Sequence, residues 1–429
     1  MTSAAQPISP TAAASTTPDL SKRDLTLDLA RVTCVVLVVI IHLLMVGVGP
    51  SPDGLVMSRP LEQLSWFAPA TWVGQIMPLF FVVGGFAGIT GLRSNRRRGG
   101  SDPSFVRTRA LRLAQPALPL FIVLAIALGV ATLVGAPPAV VEAAAVGVGS
   151  PLWFLAAYLL VQALVPIMVF WHERSRIQPV IALAIGAVLV DTLRYTTGIE
   201  TIGLLNLAFV WLLVQQFGFW YHDGWFDRRH PLTLVAIVAV SFAVLLPLTV
   251  FGPYSVSMLG NLNPPTVPLI LLGLAQACLL RLLKPVLTKL TDLRAVRGVM
   301  FLLGSRLMTI YLWHLPLILA IAGLGLLLPG LAPAPGSSAW WWSRILVWIV
   351  VMGLLLLLSL GLARIEEPWD SRPTPPVAVV VIGTVLAFIP PFLVMEFFLD
   401  LPIAIVGSVF LAAAVVLLVG RRATGAVAR

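Results

Sequence analysis

The 429-residue chain contains little charge. Charged residues make up 11% of it, against roughly 25% in typical soluble domains, while hydrophobic residues reach 59%. This scarcity excludes an ordinary soluble enzyme, and no polar segment is long enough to fold as a separate soluble domain. Repeated apolar runs of about 20 residues instead predict a chain of transmembrane helices.

Cysteine is also scarce. The two cysteines, Cys34 and Cys278, lie within or at the edge of apolar runs, which excludes a disulfide framework and indicates small buried side chains. The first twenty residues lack lysine, arginine and an apolar core, so they do not resemble a secretory signal peptide. We expect residues 1–20 to be a disordered cytoplasmic tail and residues 21–429 to form one transmembrane domain.

Basic residues are distributed unevenly along the chain, whose net charge is +10. Arginine-rich loops alternate with loops that hold little basic charge beyond Arg59, Arg194 and Arg344. By the positive-inside rule this alternation predicts that both termini are cytoplasmic, and it indicates topology rather than nucleic-acid binding. Few lysines and abundant alanine, valine and glycine suggest a GC-rich bacterial genome, so we expect a bacterial cytoplasmic (inner) membrane.

The apolar runs predict an all-α, polytopic bundle of about twelve transmembrane helices (ten to twelve). Their predicted bounds are 31–49, 70–92, 111–134, 151–171, 177–193, 201–221, 232–252, 265–283, 299–326, 341–363, 375–397 and 401–420. Residues 135–150 are apolar enough to form a partly re-entrant segment. Gly84 and Gly88 form a G-x-x-x-G pattern that predicts close helix packing and leaves the oligomeric state open.

Two histidines lie well inside predicted spans. His42 follows Arg31 by eleven positions, which places both within about 20° of one helix face and about 16 Å apart. His314 lies in another span, with Tyr311 three residues before it. Ionisable groups are costly in lipid, so two such histidines predict a shared polar cavity in which one acts as general base. The alternative is that each histidine only makes an interhelical hydrogen bond.

Arginines mark the mouth of the third span. Arg109 and Arg112 are three residues apart on one helix face, where two guanidinium groups can bind phosphates through forked hydrogen bonds. Asp28 lies one turn before Arg31 and is placed to pair with it. The alternative for Arg109 and Arg112 is that they only fix membrane topology. No metal ion is expected.

Five segments occur in an order that resembles a known family. The segment 27–42, "LDLARVTCVVLVVIIH", matches a signature of Leu-Asp, an arginine, ten residues and a histidine. Similar elements follow in "PLFFVVGGFAG", "RTRALRLAQP", "SPLWFLAAYLL" and "TIYLWHLPLIL", and "IEEPW" is a weaker match to a late Glu-Pro element. Together they resemble the acyltransferase 3 family of membrane acyltransferases, over roughly residues 23–370.

The resemblance implies a reaction and its substrates. Members of the family are thought to move an acyl group, often acetyl, from cytoplasmic acyl-CoA to a hydroxyl of a carbohydrate, a glycolipid or an antibiotic-like small molecule. The partners implied are therefore acyl-CoA, such an acceptor and the lipid bilayer, with no nucleic acid. Residues 21–429 would be the transmembrane acyltransferase domain, without the soluble hydrolase-like domain that some relatives carry.

The resemblance also assigns roles to residues. His42 would be the general base, and Tyr311 and His314 would bind the acceptor or stabilise the developing oxyanion. The residues that would bind the donor phosphates are Arg31, Arg109 and Arg112. The residues that would orient or shape the site are Asp28, which would hold Arg31, and Trp153, Gly84 and Gly88.

The chain departs from the family pattern at three places. Many relatives carry an acidic residue before the Phe-Phe pair, a Ser-Gly-Phe motif and a histidine before the Leu-Trp-Phe-Leu helix. Here the corresponding residues are Met77-Pro78-Leu79, Gly84-Gly85-Phe86 and Ser150-Pro151. We therefore expect an acceptor that differs from those of better-known members.

Two other classes compete with an acyltransferase. Twelve spans with both ends inside are common among secondary transporters and flippases, which would use the histidines and arginines as a proton relay. Acidic residues within the spans are few, and the two histidines have no obvious mid-membrane carboxylate partner, which disfavours that class. A scaffold without chemistry would explain the spans but not the paired buried histidines.

Overall fold

The computed structural model describes residues 24–51, 54–328, 332–366 and 373–420; the predicted tail 1–20 and most of the "IEEPW" element lie outside these ranges. The helices are α1 (Leu25–Met45), α2 (Phe67–Gly74), α3 (Met77–Arg97), α4 (Asp102–Leu133), α5 (Pro138–Gly149), α6 (Leu152–Ala163), α7 (Val165–Arg174), α8 (Gln178–Thr197), α9 (Asn206–His222), α10 (Pro231–Val250), α11 (Pro268–Asp292), α12 (Arg294–Gly304), α13 (Leu307–Leu326), α14 (Ser338–Glu366), α15 (Val377–Phe397) and α16 (Leu401–Val419). A 3-10 helix spans Glu200–Leu205, and an antiparallel hairpin pairs β1 (Gly47–Ser51) with β2 (Gly54–Ser58).

The described residues contain twelve helices, or pairs of consecutive helices, that are long and apolar enough to cross a membrane. This number confirms the prediction of an all-α, polytopic bundle. The hairpin between α1 and α2 is the exception to the all-α pattern, and its glycines and proline suit a tight connection better than a continued helix.

Two predicted spans are wrong in their bounds. Residues 138–149 form the helix α5, which makes one candidate span with α6, Pro138–Ala163, so this span begins and ends earlier than the predicted 151–171. Pro138 stands at the first position of α5, where a missing backbone N–H costs nothing. The predicted span 299–326 is divided between α12 and α13 by a break at Ser305–Arg306, so His314 lies in the first half of a shorter helix.

Helix α1 packs against α3, α11 and α13. The Asp24 side chain begins α1 by accepting a hydrogen bond from the backbone N–H of Thr26 at 3.1 Å. The helix ends at Met45, so His42 lies in its last turn, closer to the helix end than the predicted span 31–49 implies.

We call the end of the bundle where α1 begins and α3 meets α4 the basic side, and the end with the hairpin the opposite side.

The closest helix crossing joins α3 to α9 through two glycines. A Cβ atom at Gly218 would lie 2.6 Å from the backbone nitrogen of Phe86 and would also overlap the carbonyl oxygen of Val82. A Cβ atom at Gly85 would overlap the carbonyl oxygen of Gln215 in the same way. Because backbone atoms line both positions, the two helices touch without any side chain between them.

Arg107 fastens the end of α16 to α4. Its side chain is buried, and its guanidinium donates hydrogen bonds to the carbonyl oxygens of Leu418 at 2.6 Å and Val419 at 3.2 Å. These carbonyls belong to the last turn of α16, where a positive charge also offsets the negative end of the helix dipole.

We expect Arg107→Leu to lower the thermal stability of the purified protein, because hydrogen bonds to a charged group contribute about 1.5–3 kcal/mol and their loss would leave buried carbonyls without partners. Thermal denaturation in detergent measures the change. Arg112→Leu is the matched control, since Arg112 is exposed on the same helix. Equal shifts in the two variants would contradict this role for Arg107.

Candidate active site

The structure brings the two predicted histidines into direct contact. Nε2 of His314 lies 3.0 Å from Nδ1 of His42, and the ring centroids are 4.9 Å apart. His314 is fully buried, whereas His42 is half-buried because one side of its ring borders a cavity. The two rings, contributed by α13 and α1, therefore form a dyad with a buried inner member and an accessible outer member.

The hydrogen-bond chain assigns the ring protons. Nδ1 of His314 lies 2.5 Å from the backbone carbonyl oxygen of Tyr311, which can only accept, so this nitrogen carries the proton. With both rings neutral, Nε2 of His314 is then an acceptor and Nδ1 of His42 is its donor. Nε2 of His42 is left with a free lone pair, which is the form a general base requires.

Tyr311 joins this site to α6. Its hydroxyl donates a hydrogen bond to the carbonyl oxygen of Pro151, the residue just before α6. Its ring packs against Phe154 at a centroid distance of 4.9 Å and against His314 at 5.8 Å. Tyr311 thus contacts His314 through both its backbone carbonyl and its ring. It also lines the same cavity as His42.

The cavity beside His42 has a volume of about 310 Å³ and lies on the opposite side. It extends between α1 and α2, and residues just before α6 and in the loop before α11 complete its wall. Trp153 lines it and stacks on Trp211 of α9 at a centroid distance of 5.9 Å. Four of the described lining residues have polar side chains: His42, Thr71, Gln75 and Tyr311.

Arginines line a second cavity, of about 330 Å³, on the basic side. Arg109 and Arg112 both border it, together with Arg98 and Arg107. The guanidinium of Arg109 donates a 2.9 Å hydrogen bond to the carbonyl oxygen of Ala87 in α3, which fixes its position. The arrangement offers several guanidinium N–H groups to one anionic ligand, as phosphate binding requires.

Arg31 lies close to these arginines but borders a different, smaller cavity of about 150 Å³, together with Asp28 and Arg297. Asp28 is 3.1 Å from Arg31, which gives the predicted ion pair. The structure therefore brings Arg109 and Arg112 together in one cavity and places Arg31, which shares α1 with His42, at another.

Tyr158 is a polar residue at the site that the sequence patterns did not single out. It lies on α6 within electrostatic range of both Arg109 and Arg31, and its ring stacks on Phe154 at 5.2 Å. The same ring packs on Gly84, where a Cβ atom would lie 2.8 Å from its Cε2 atom. A lone tyrosine in the "LWFLAAYLL" helix was the available signal, but its neighbours depend on which helices pack together.

Gly84 and Gly88 both face the α6–α7 region. A Cβ atom at Gly88 would lie 3.0 Å from Cγ2 of Val165, so both positions allow α3 to approach its neighbours closely. The contact with α9 depends instead on Gly85, the residue after Gly84.

A cluster of ion pairs closes the basic side where α3, α7 and α9 end. Arg93 contacts Glu173 and Asp223, each at 3.2 Å, and His172 lies 3.3 Å from Asp223. Burial opposes ionisation of Asp223, but hydrogen bonds from His222, His172 and Arg93 outweigh it and lower the pKa of this carboxyl. The cluster ties the helix that carries Gly84 and Gly88 to two of its neighbours.

Among the described residues, no group of three or more histidine, cysteine, aspartate or glutamate side chains is placed to hold a metal ion. The arrangement supports proton transfer by imidazole beside a cavity, with an arginine-lined cavity on the other side of the bundle.

Comparison with protein-family models gives one result that covers most of the chain. Residues 24–364 match the acyltransferase domain of the acyltransferase 3 family. Neither the curated proteins nor the solved structures gave a match. The matched range contains the histidine dyad, all the residues that line the cavity beside His42, and the arginines described above. The chain belongs to the acyltransferase 3 family and is an integral membrane O-acyltransferase.

Proposed function

We propose that this enzyme transfers an acyl group, acetyl in the simplest case, from acyl-CoA to a hydroxyl of a carbohydrate, glycolipid or small molecule. The observation that carries the proposal is the His42–His314 dyad, whose outer member lines an apolar cavity, in a bundle whose basic side holds an arginine-lined cavity. In this scheme the basic side and both termini face the cytoplasm, and the protein resides in a bacterial cytoplasmic membrane.

The donor binds at the basic side. Arg109 and Arg112 hold the phosphates of coenzyme A, since forked guanidinium groups match phosphate oxygens and bear a permanent positive charge. Arg31, oriented by Asp28, adds its positive charge from the neighbouring smaller cavity, within electrostatic range of Arg109. The thioester then reaches the dyad from the basic side, and the acceptor reaches it from the opposite side.

The chemistry follows from the assigned tautomers. Nε2 of His42 takes the proton of the acceptor hydroxyl as the oxygen attacks the thioester carbonyl carbon. His314 accepts a hydrogen bond from Nδ1–H of His42 and stabilises the resulting imidazolium. The carbon–sulfur bond breaks, coenzyme A leaves as the thiolate, and the imidazolium returns its proton to that sulfur. The products are an ester and free coenzyme A.

A secondary transporter or flippase is the second candidate, since twelve candidate spans fit either class. The dyad disfavours it, because in the described residues the two rings bind each other and a backbone carbonyl instead of a carboxylate that could exchange protons along a path.

Mass spectrometry of envelope glycans, lipids and secreted metabolites, with and without the gene, tests the proposal. The expected result is the loss of one acyl mass from one class of molecule in the deletion strain. The purified protein should transfer label from radiolabelled acetyl-CoA without an ion gradient. Substrate movement that needs a gradient and leaves no covalent product would establish the transporter instead.

The two arginines give a kinetic prediction. We expect Arg109→Gln and Arg112→Gln to raise the KM for acetyl-CoA by about tenfold or more, since each removes a charge-assisted contact, and to leave the KM for the acceptor unchanged. Arg98→Gln is a comparison variant at the rim of the same cavity, with a smaller expected effect. An effect confined to the acceptor KM would place the donor elsewhere.

A further inference from the structure

We infer that the acceptor is a neutral, mainly apolar alcohol that binds in the cavity beside His42, an inference that rests on the proposed function and narrows it. His42 lines this cavity, and its Nδ1 is bound to His314, so a hydroxyl deprotonated by the other ring nitrogen belongs to a molecule inside the cavity. The polarity and charge of the side chains that line the cavity therefore indicate the polarity and charge of the acceptor.

The wall is apolar and carries no charge among the described residues. Aliphatic and aromatic side chains make up most of it, including Trp66, Phe67 and Trp153. Arg59 is close enough to influence His42 electrostatically, yet it does not line the cavity and pairs with Glu62 at 3.2 Å. An anionic or cationic acceptor would lose its hydration here without gaining a partner.

Beyond His42, the wall has few polar atoms left to bind an acceptor: the amide N–H groups of Gln75 and the indole N–H groups of Trp66 and Trp153. The hydroxyl of Thr71 is occupied by the carbonyl of Ala68 and the backbone N–H of Met258. The hydroxyl of Tyr311 is occupied by Pro151, and Oε1 of Gln75 accepts from the backbone N–H of Met77. A bare sugar would leave several hydroxyls without hydrogen bonds in this space, a penalty of about 1–3 kcal/mol for each.

The opening of the cavity also suits an apolar molecule. Trp66 is 55% exposed, and a Cβ atom at Gly74 would meet nothing within 4 Å. Both residues line the cavity, at the two ends of α2. A mainly apolar alcohol could therefore enter past α2, either from the lipid or from the space beyond the opposite side.

Radiolabelled acetyl-CoA and fractionated extracts test the inference. Cell pellets and spent medium from the source organism are each partitioned between chloroform and water, and each fraction is incubated with the purified enzyme. Label in the chloroform phase supports the inference, and its origin in pellet or medium separates a membrane lipid from a secreted small molecule. Label only in water-soluble glycans would overturn it while the proposed function stands. Label in neither phase would overturn both.

A Gly74→Trp variant tests whether the cavity is where the acceptor binds. The added ring has open space and fills the cavity, so transfer to the chloroform fraction should fall about tenfold or more through a higher acceptor KM, with the KM for acetyl-CoA unchanged. Gly353→Trp is the matched control, since Gly353 also has open space but lies on α14, away from the cavity. Wild-type transfer by Gly74→Trp would overturn the inference.

Comparison of acetyl-CoA with decanoyl-CoA distinguishes the acceptor from the acyl chain of a longer donor. An acceptor site predicts the same loss in Gly74→Trp with either donor. A loss confined to decanoyl-CoA would show that the cavity holds the acyl chain, and would overturn the assignment.

Discussion

His42→Ala is expected to lower kcat for acyl transfer by about 10²–10⁴-fold, the usual contribution of a general base. The alanine removes the one imidazole that lines the cavity, while α1 keeps its contacts with α3, α11 and α13. Initial rates with radiolabelled acetyl-CoA measure the loss. Protein yield and thermal stability in detergent should stay near the wild-type values.

His230→Ala is the control for the removal of a histidine, since His230 is exposed at the start of α10 and far from the cavity lining. It should retain wild-type activity. If His42→Ala also retained activity, the base would have to be another group, and the assignment of the dyad would be wrong.

The contact between the two histidines also leads to a prediction for His314. His314 acts through His42, so His314→Phe should cause a smaller loss than His42→Ala and should shift the pH dependence of kcat. The double variant should be no worse than His42→Ala, because residues that act as a unit give non-additive losses. Additive losses would mean that His314 contacts the substrate independently.

The contact of the two histidines could be predicted because the reason for it is visible in the sequence. An imidazole in an apolar run must find a polar partner, and with two such runs the simplest solution is that the rings meet. The number of spans followed from length and hydropathy in the same way. The position of His314 was less certain, since only Gly304 and Ser305, and no proline, mark the break that separates α12 from α13.

The three-dimensional neighbours of a residue could not be predicted. Arg107 and Arg109 are two positions apart in one basic segment, yet Arg107 binds the end of α16 and Arg109 binds a backbone carbonyl of α3. Which face of α4 meets α16 depends on helix packing over more than 300 residues of separation. Likewise the sequence pattern drew attention to Gly84 and Gly88, while the tightest helix contact falls on Gly85.

The contact between α3 and α9 at Gly85 and Gly218 leads to the second prediction with a large effect, a loss of folding or stability. Gly218→Leu should yield no folded protein, and Gly218→Ala should lower stability by about 1–3 kcal/mol or more, because even one methyl group overlaps the backbone of α3. Size-exclusion chromatography and thermal denaturation in detergent measure the two outcomes. Gly353→Leu is the matched control, a helix glycine with open space around it. Normal folding of Gly218→Leu would contradict the α3–α9 packing described here.

A milder variant at this crossing should affect the site as well as the fold. Phe81 of α3 stacks on Trp211 of α9 at 4.1 Å, and Trp211 stacks on Trp153 in the cavity wall. If Gly218→Ala pushes α9 away from α3, this stack moves and the cavity beside His42 changes shape. The acceptor KM should therefore rise in Gly218→Ala, while the KM for acetyl-CoA, set by Arg109 and Arg112 on α4, should change less. Equal changes in both constants would show that the two cavities respond together to the position of α9.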